Sequence, residues 1–352
     1  MRIDETKLDL FVGKAVEDLA AGYGGVMISL GNRLGLYKAM NGGGPLSSVA
    51  VARRSGCAER YVREWLNSQA AAGYIMYHAE TRTYELSPEQ AEVLANDNSP
   101  VFMPTAWEIP ASMWFDEEQA VGAFRTGNGV PWGDHNSRLF CGTAAFFRNA
   151  YRGQLVQSWI PALDGAEEKL KRGARVADVG CGHGHSTVLM AEAYPQSHFY
   201  GFDTHEGSIE IARRNAEEAG VADRVQFEAM GAQDYPGSDY DLICFFDCLH
   251  DLGDPVGAAR YAAGALARDG AVMLVEPFAE DDVSGNLNTI GRLSYSASTV
   301  LCCAHSLSEE VGLALGAQAG AARLSSVFTE GGFGNMQVAM KTPLNLILEG
   351  RL

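Results

Sequence analysis

The chain has 352 residues, of which 47% are hydrophobic and 20% are charged, a balance that predicts a globular protein of about two domains. Its formal net charge of −17 makes nucleic acid a poor default partner, because an acidic surface repels phosphate. The seven cysteines include no Cys-x-x-Cys pair, which predicts reduced thiols and a cytoplasmic location. Neither a signal-peptide core nor an apolar run of membrane-spanning length is present, so we expect no membrane association.

Residues 1–98 are predicted to form a mainly helical winged-helix domain. Apolar residues recur at spacings of three and four from Leu8 to Leu19, and a glycine-proline cluster at 41–45 ends this helical region. Two short strands then flank a polar turn at 78–82. The predicted helices span residues 1–40, 48–54 and 59–73, and the predicted strands span residues 74–77 and 83–86. This order of helices followed by a two-stranded wing is that of a winged helix.

Winged helices read DNA in many regulators, so a DNA-binding role is an alternative. The helix that would enter the groove carries Glu59, Arg60, Arg63 and Glu64, which give it no net basic face. We therefore expect this domain to dimerise and to cover the following domain, with no nucleic-acid partner.

Aromatic residues are concentrated in residues 99–170, a predicted helical linker. Ligand sites concentrate at domain interfaces, so some of these side chains are expected to line an apolar substrate pocket. The candidates are Trp132, His135, Phe146 and Phe147.

From residue 171 to the C-terminus, strand and helix patterns alternate, which predicts an α/β domain with a Rossmann-like sheet. Five strands are expected to alternate with helices, and two closing strands to complete a seven-stranded sheet. Residues 277–320 interrupt the alternation and are predicted to form a flap over the site. The predicted strands span residues 176–179, 198–202, 225–228, 242–246, 271–276, 336–341 and 344–349.

A glycine loop follows the first of these strands, in the sequence Asp178-Val-Gly-Cys-Gly-His-Gly184. A dinucleotide site requires G-x-G-x-x-G, and His185 occupies the position of its third glycine, which disfavours a nicotinamide oxidoreductase. Asp203 ends the next strand about 20 residues further on, where a carboxylate can accept hydrogen bonds from both ribose hydroxyls. Asp178 favours a ligand that carries positive charge and no pyrophosphate.

These features resemble the class I S-adenosylmethionine-dependent methyltransferases, and the resemblance covers residues 175–352. It is strengthened by Gly201-Phe-Asp203, by Gly231-Ala-Gln-Asp-Tyr235 and by Phe245-Phe-Asp-Cys-Leu-His-Asp-Leu252. It implies S-adenosyl-L-methionine as cofactor. The cofactor-binding residues that it implies are Asp178, Gly180, Gly182 and Gly184 at the loop, Asp203 and Thr204 at the ribose, Ala232 and Gln233 at the adenine, and Phe246 and Asp247 at the methionine end.

The whole chain resembles small-molecule O-methyltransferases with a dimerising winged helix, and more closely a group of actinobacterial methyltransferases of undefined substrate. The phrases that carry this likeness are Leu34-Gly-Leu-Tyr37, Arg60-Tyr-Val-Arg-Glu-Trp-Leu66 and Thr342-Pro-Leu-Asn-Leu346. The resemblance implies a homodimer formed through the N-terminal domain. It also implies a small, apolar or aromatic, hydroxyl-bearing methyl acceptor, although oxygen, nitrogen and carbon acceptors all stay open.

A hydroxyl acceptor must lose its proton, and His250 is the candidate general base because imidazole titrates near neutral pH. The phrase Leu249-His-Asp-Leu252 resembles the His-Asp-Trp segment of plant-type O-methyltransferases, and Glu276 matches the glutamate that accompanies that histidine. Two departures weaken this interpretation: Leu252 replaces the tryptophan, and Gln318 replaces a second glutamate. A structural role for His250 is the alternative.

No metal is expected, because His183 and His185 lack a third ligand in the sequence. A second functional class also stays open at this point. It is a ligand-sensing, DNA-binding regulator that has kept a cofactor fold.

Overall fold

The computed structural model describes residues 2–352 and divides after Ala111 into two units, Met1–Ala111 and Ser112–Leu352. The aromatic-rich segment predicted at 99–170 is thus shared between the two units. Among the described residues, no helix is long and apolar enough to cross a membrane.

The first unit is mainly helical, with a two-stranded wing. Its helices are α1 (Glu5–Arg33), α2 (Leu36–Met40), α3 (Ser48–Ser55), α4 (Glu59–Ala71), α5 (Pro88–Leu94) and α6 (Glu108–Phe115), the last of which crosses into the second unit. The wing pairs β1 (Met76–His78) with β2 (Thr83–Glu85) in antiparallel register. The winged helix predicted from the sequence is confirmed.

Local sequence explains where these helices begin. The Ser47 hydroxyl accepts a hydrogen bond from the Ala50 N–H at the start of α3, and Ser87 and Gln90 form a reciprocal capping box at the start of α5. The ring of Tyr37 packs edge-on against Trp65 at 5.0 Å. This pair lies in a core that joins α1 to α5.

The side chains of α1 form an exposed apolar stripe. The stripe consists of Val12, Val16, Leu19, Tyr23, Val26 and Leu30, which are between 39% and 69% exposed. These positions alternate spacings of four and three, which is the heptad pattern of a coiled-coil seam.

The basic residues of α4 are paired with acidic residues of the same helix. Arg60 contacts Glu64 at 2.5 Å, and Arg63 contacts Glu59 at 2.6 Å. Both pairs are exposed and four residues apart. This face of the winged helix therefore presents no excess of positive charge.

The second unit contains a seven-stranded sheet of order β5-β4-β3-β6-β7-β9-β8. Its strands are β3 (Arg175–Val179), β4 (His198–Asp203), β5 (Val225–Ala229), β6 (Tyr240–Phe246), β7 (Leu266–Pro277), β8 (Asn335–Lys341) and β9 (Asn345–Arg351). The pairs among β3 to β7 are parallel, and β9 is antiparallel to both of its neighbours. The predicted α/β fold with a seven-stranded sheet is confirmed.

The strand order reverses between β3 and β6, and open α/β sheets bind ligands at such a point, beyond the carboxyl ends of the strands. Both faces of the central strands β3, β6 and β7 are largely buried, as is usual for parallel strands. Along β6, Leu242 and Cys244 belong to one hydrophobic core, and Ile243 and Phe245 belong to the other.

The helices of the second unit cover both faces of the sheet and build the region above its carboxyl edge. They are α7 (Glu117–Thr126), α8 (Arg138–Gln154), α9 (Ala166–Arg172), α10 (His185–Ala193), α11 (Glu206–Glu218), α12 (Pro255–Ala265), α13 (Thr289–Val300), α14 (Cys302–Ser308) and α15 (Gly320–Glu330). The segment predicted as a flap, 277–320, contains α13 and α14. It contacts the loop before α8, where the Trp132 N–H donates to His305 Nδ1 at 3.1 Å.

Candidate active site

The glycine loop after β3 turns sharply beside β4. The backbone N–H groups of Gly180 and Cys181 both donate to the Phe202 carbonyl, at 2.8 and 3.0 Å, which anchors the loop. Gly180 and Gly182 have φ angles of 74° and 52°, a region that favours glycine. A Cβ atom on Gly180 would lie 2.7 Å from Cys248 Sγ, whereas one on Gly182 would have no neighbour within 4 Å. Packing therefore requires the first glycine, and the second leaves space open above the loop.

Asp178 lies beneath the loop and is fully buried. Its Oδ2 accepts hydrogen bonds from the hydroxyls of Ser186 and Thr187, each at 2.6 Å, which ties the end of β3 to the start of α10. Burial raises the pKa of Asp178 to about 6, although the two hydroxyls oppose the shift. The direct contacts of Asp178 thus support the loop.

Asp203 is held at the end of β4 by two backbone donors. Its Oδ2 accepts from the Gly182 N–H and its Oδ1 from the His205 N–H, both at 2.9 Å. Burial raises the pKa of Asp203, and these two hydrogen bonds oppose the shift. The carboxylate is therefore fixed relative to the loop, with Thr204 beside it.

A cavity opens above the carboxyl ends of β3, β4, β5 and β6. Seven of the site residues predicted from the sequence line it, namely Trp132, Phe147, Gly180, Gly182, Asp203, Thr204 and Ala232. The remaining lining residues are Phe140, Thr143, Ala144, Tyr151, Val179, Cys181, His183, His185, Ser208, Met230, Cys248, Asp251, Leu252 and His305.

Three other candidates for cofactor contact, besides Gly184, lie next to the cavity without lining it. The side-chain amide of Gln233 donates to Asp254 Oδ2 at 3.1 Å, at the start of α12. Phe246 is buried and its ring lies 5.6 Å from that of Tyr151. Asp247 is buried, and its Oδ1 accepts from the Asn345 amide at 3.2 Å. Their roles toward a cofactor stay predictions.

His250 and Glu276 form a buried pair at the ends of β6 and β7. Glu276 Oε2 contacts His250 Nδ1, while its Oε1 accepts from the Leu249 N–H at 3.0 Å. On the other side of the imidazole, Nε2 lies 3.2 Å from Asp251 Oδ1. Burial lowers the pKa of His250, but the charges of Asp251 and Glu276 outweigh it and raise that pKa well above its usual value.

Asp251, rather than His250, faces the cavity. The Asp251 side chain is 17% exposed and lines the cavity, whereas that of His250 is 5% exposed and lies behind it. In the sequence motif, Asp251 appears only as the neighbour of His250. The tight turn at Leu249–Asp251 that places both residues was not visible in the periodicity.

A metal ion could in principle use the atoms His250 Nε2, Asp251 Oδ1 and Cys302 Sγ, which lie within 4.8 Å of one another. The ion-pair distance between the first two explains their approach without an ion. In the metal-free chain, burial raises the pKa of the Cys302 thiol to about 12. We therefore assign no metal to this cluster.

The aromatic candidates divide into a cavity layer and a layer behind it. Trp132 lines the cavity, with its ring 6.1 Å from that of Phe140. His135 is buried behind it and its Nδ1 lies 3.0 Å from Asp116 Oδ2. Phe146 packs edge-on against Phe147 at 5.2 Å and does not line the cavity.

Two family models match the chain. The model described as an Rv2258c-like winged HTH domain matches residues 22–96, and the model described as a methyltransferase domain matches residues 170–312. Among curated relatives, 27-O-demethylrifamycin SV methyltransferase of Amycolatopsis mediterranei is 34% identical over 107 residues, which are 30% of this chain and 39% of that protein. The matched stretch covers between 26% and 44% of the length of these relatives.

Solved structures resemble the chain over nearly its whole length. Mitomycin 7-O-methyltransferase is 18% identical with a TM-score of 0.68, covering 99% of this chain and 100% of its own. Human N-acetylserotonin methyltransferase is 15% identical with a TM-score of 0.72, covering 97% of each chain. The chain therefore contains one segment that matches an Rv2258c-like winged HTH domain and another that matches a methyltransferase domain, and its fold is similar to that of solved O-methyltransferases.

Proposed function

We propose that the chain transfers the methyl group of S-adenosyl-L-methionine to a small hydroxyl-bearing molecule. The observation that carries this proposal is the attachment of Asp203 to the glycine loop at the mouth of the cavity. A fixed carboxylate beside a loop without side-chain bulk suits a ribose with an amino-acid extension. The methyltransferase domain match and the names of the relatives support the same activity.

The residues present fit the cofactor. Gly182 leaves open space where a side chain would project, and Asp203 can accept hydrogen bonds from two ribose hydroxyls. Met230 and Ala232 offer an apolar surface to the adenine on the β5 side. When bound, the cofactor supplies a methyl group on a sulfonium. The human relative was solved in complex with S-adenosylmethionine, which further supports this assignment.

The acceptor is proposed to be small and apolar or aromatic. Trp132, Phe140, Phe147 and Tyr151 line one side of the cavity, and apolar walls with few polar groups suit such a molecule. His135 and Phe146 are proposed to support this wall from behind. The names of relatives that act on hydroxyl groups favour oxygen as the methylated atom.

His250 and Glu276 are proposed to manage the proton that the hydroxyl loses. Glu276 holds Nδ1 of the imidazole and the backbone of its turn, which fixes the ring and stabilises its charged form. The proton can reach the neutral imidazole by way of the Asp251 carboxylate, which faces the cavity and contacts Nε2, while the apolar walls exclude water. Gln318 replaces the second glutamate of the family that the sequence resembles. In this chain, the second carboxylate beside the imidazole is that of Asp251, at Nε2.

The protein is proposed to form a homodimer through its first unit. The apolar stripe of α1, defined above by its heptad spacing, fits the same stripe on a second copy. The arginines of α4 are paired within their own helix, which argues against DNA as the partner of this unit.

We also propose a cytoplasmic location. All seven cysteines of the chain are free thiols, and four of them are at least partly exposed. Such thiols persist in a reducing compartment.

Replacing Asp203 with alanine should weaken S-adenosylmethionine binding by about 100-fold, because two hydrogen bonds to a charged acceptor are lost. Isothermal titration calorimetry measures the change, and Glu217→Gln, an exposed charge loss on α11, should bind as the wild type does. Wild-type protein that binds neither the cofactor nor its demethylated product would refute the proposed function, as would unchanged affinity in Asp203→Ala.

Replacing His250 with glutamine should leave cofactor affinity within about threefold and lower turnover by about 10²–10⁴-fold, the usual contribution of a positioned base. Wild-type turnover should rise as the pH increases above neutrality, because the pKa of His250 is raised and only its neutral form accepts a proton. The measurement is formation of S-adenosylhomocysteine with a panel of small phenols. His198→Gln, an exposed histidine, is the control. Undiminished turnover in His250→Gln would leave this histidine a purely structural role.

The wild-type protein should have about twice the 37.8 kDa mass of one chain in light scattering after size-exclusion chromatography. Val16→Glu combined with Tyr23→Glu should give monomers, since charges on both positions disrupt an apolar seam. Leu293→Glu, an exposed residue of α13, should stay dimeric. A monomeric wild type would contradict the proposed dimer.

A further inference from the structure

The cavity is lined by two carboxylates, Asp203 and Asp251, and among its described lining residues none is a lysine or an arginine. The two carboxylates differ in how their charge is compensated. Asp203 accepts hydrogen bonds from two backbone N–H groups. Asp251 Oδ1 is buried, and its close contact is His250 Nε2 at 3.2 Å.

The imidazole of His250 cannot neutralise Asp251 completely, because it also serves Glu276 through Nδ1. One positive charge is thus shared between two carboxylates. Asp247 lies in the same cluster, and burial raises its pKa well above its usual value, which favours its neutral form. The imidazole therefore balances only part of the negative charge of the cluster, and Asp251 is the member that faces the cavity.

The histidines at the loop side of the cavity do not offset this charge. Burial lowers the pKa of His183, and burial together with the charges of Arg148, His183 and Arg152 lowers that of His185 to about 3. Both rings are consequently neutral near pH 7. Arg148 and Arg152 act on His185 from α8 and are not among the lining residues.

The order of the strands indicates which part of the cofactor meets Asp251. Asp203 marks the ribose position at the end of β4, with Met230 and Ala232 beyond β5 on one side. Asp251 lies after β6, on the opposite side of β3. With the adenine against the apolar β5 side, the amino-acid part and its sulfur extend past Gly180 toward Asp251.

We propose that Asp251 is a specificity-determining residue that makes the cavity favour cationic S-adenosylmethionine over neutral S-adenosylhomocysteine. This inference rests on the proposed function, because it concerns the same cofactor. The two compounds differ by one methyl group and one positive charge at sulfur. A carboxylate near the sulfur attracts the first and gains nothing from the second. The same field helps the demethylated product to leave.

Replacing Asp251 with asparagine removes the charge and keeps the shape of the side chain. S-adenosylmethionine should then bind about tenfold more weakly, whereas S-adenosylhomocysteine should change by less than about twofold. Isothermal titration calorimetry with both compounds gives the ratio of the two dissociation constants, without any methyl acceptor. The predicted result is a ratio that shifts about tenfold against S-adenosylmethionine.

Asp203→Asn is the matched control, since it removes the other cavity carboxylate. It should weaken both compounds equally and leave their ratio unchanged, because the ribose is common to both. A ratio that Asp251→Asn leaves unchanged would overturn the inference while the proposed function stands. Failure of both compounds to bind wild-type protein would instead overturn the proposed function.

A second measurement needs no variant, in case Asp251→Asn does not fold. Sinefungin replaces the S-methyl sulfonium with a carbon that carries a protonated amine, and it keeps the adenosine and the amino-acid end of the cofactor. Wild-type protein should bind sinefungin about tenfold more tightly than S-adenosylhomocysteine at neutral pH. Equal affinities, or weaker binding of sinefungin, would overturn the role of the charge on Asp251.

Discussion

The attachment of the glycine loop to the end of β4 is the interaction on which the site depends. The Gly180 and Cys181 N–H groups share the Phe202 carbonyl, and the Gly182 N–H donates to Asp203. These bonds fix a carboxylate beside bare backbone at the point where the strand order reverses. The position of the cavity therefore follows from the geometry of the loop backbone.

A second group of contacts gives the cavity its chemical polarity. Glu276 binds both the backbone of the turn after β6 and the ring of His250, and the ring in turn contacts Asp251. Burial and the charge of Glu276 raise the pKa of the neighbouring carboxyl group of Asp247, which favours its neutral form. We propose that the same cluster supplies a base for the acceptor and a negative surface for the sulfonium.

The fold was predictable because it depends on the periodic pattern of apolar residues along each strand and helix, which is visible in the sequence. The alternation of strands and helices gave the seven-stranded sheet, and the loop glycines gave its ligand-binding edge. The cavity wall was less predictable, because it depends on side chains that distant segments bring together. His305 reaches the cavity from the interrupting segment and Phe140 from α8, and neither lies in a motif. Conversely, His135 is of a residue type that is common in ligand sites, but its contact with Asp116 holds it behind the cavity wall.

The burial of His250 was also not predictable from the sequence motif. Its motif predicts a base at His250, but only the turn at Leu249–Asp251 determines which side chain faces the cavity. A shift of one residue along this tight turn, from His250 to Asp251, places a carboxylate instead of an imidazole at the cavity. Which of the two side chains faces the cavity depends on their contacts and exposure, and the spacing of residues in the sequence does not determine these.

The central claim is that the cavity between the glycine loop, Asp203 and Asp251 is the cofactor site. A crystal structure in complex with S-adenosylhomocysteine tests it most directly. We predict that the ribose hydroxyls contact Asp203, that the adenine lies against Ala232 and that the sulfur lies on the Asp251 side of Gly180. Density for the ligand elsewhere, or in the reverse orientation with adenine at Asp251, would contradict this account.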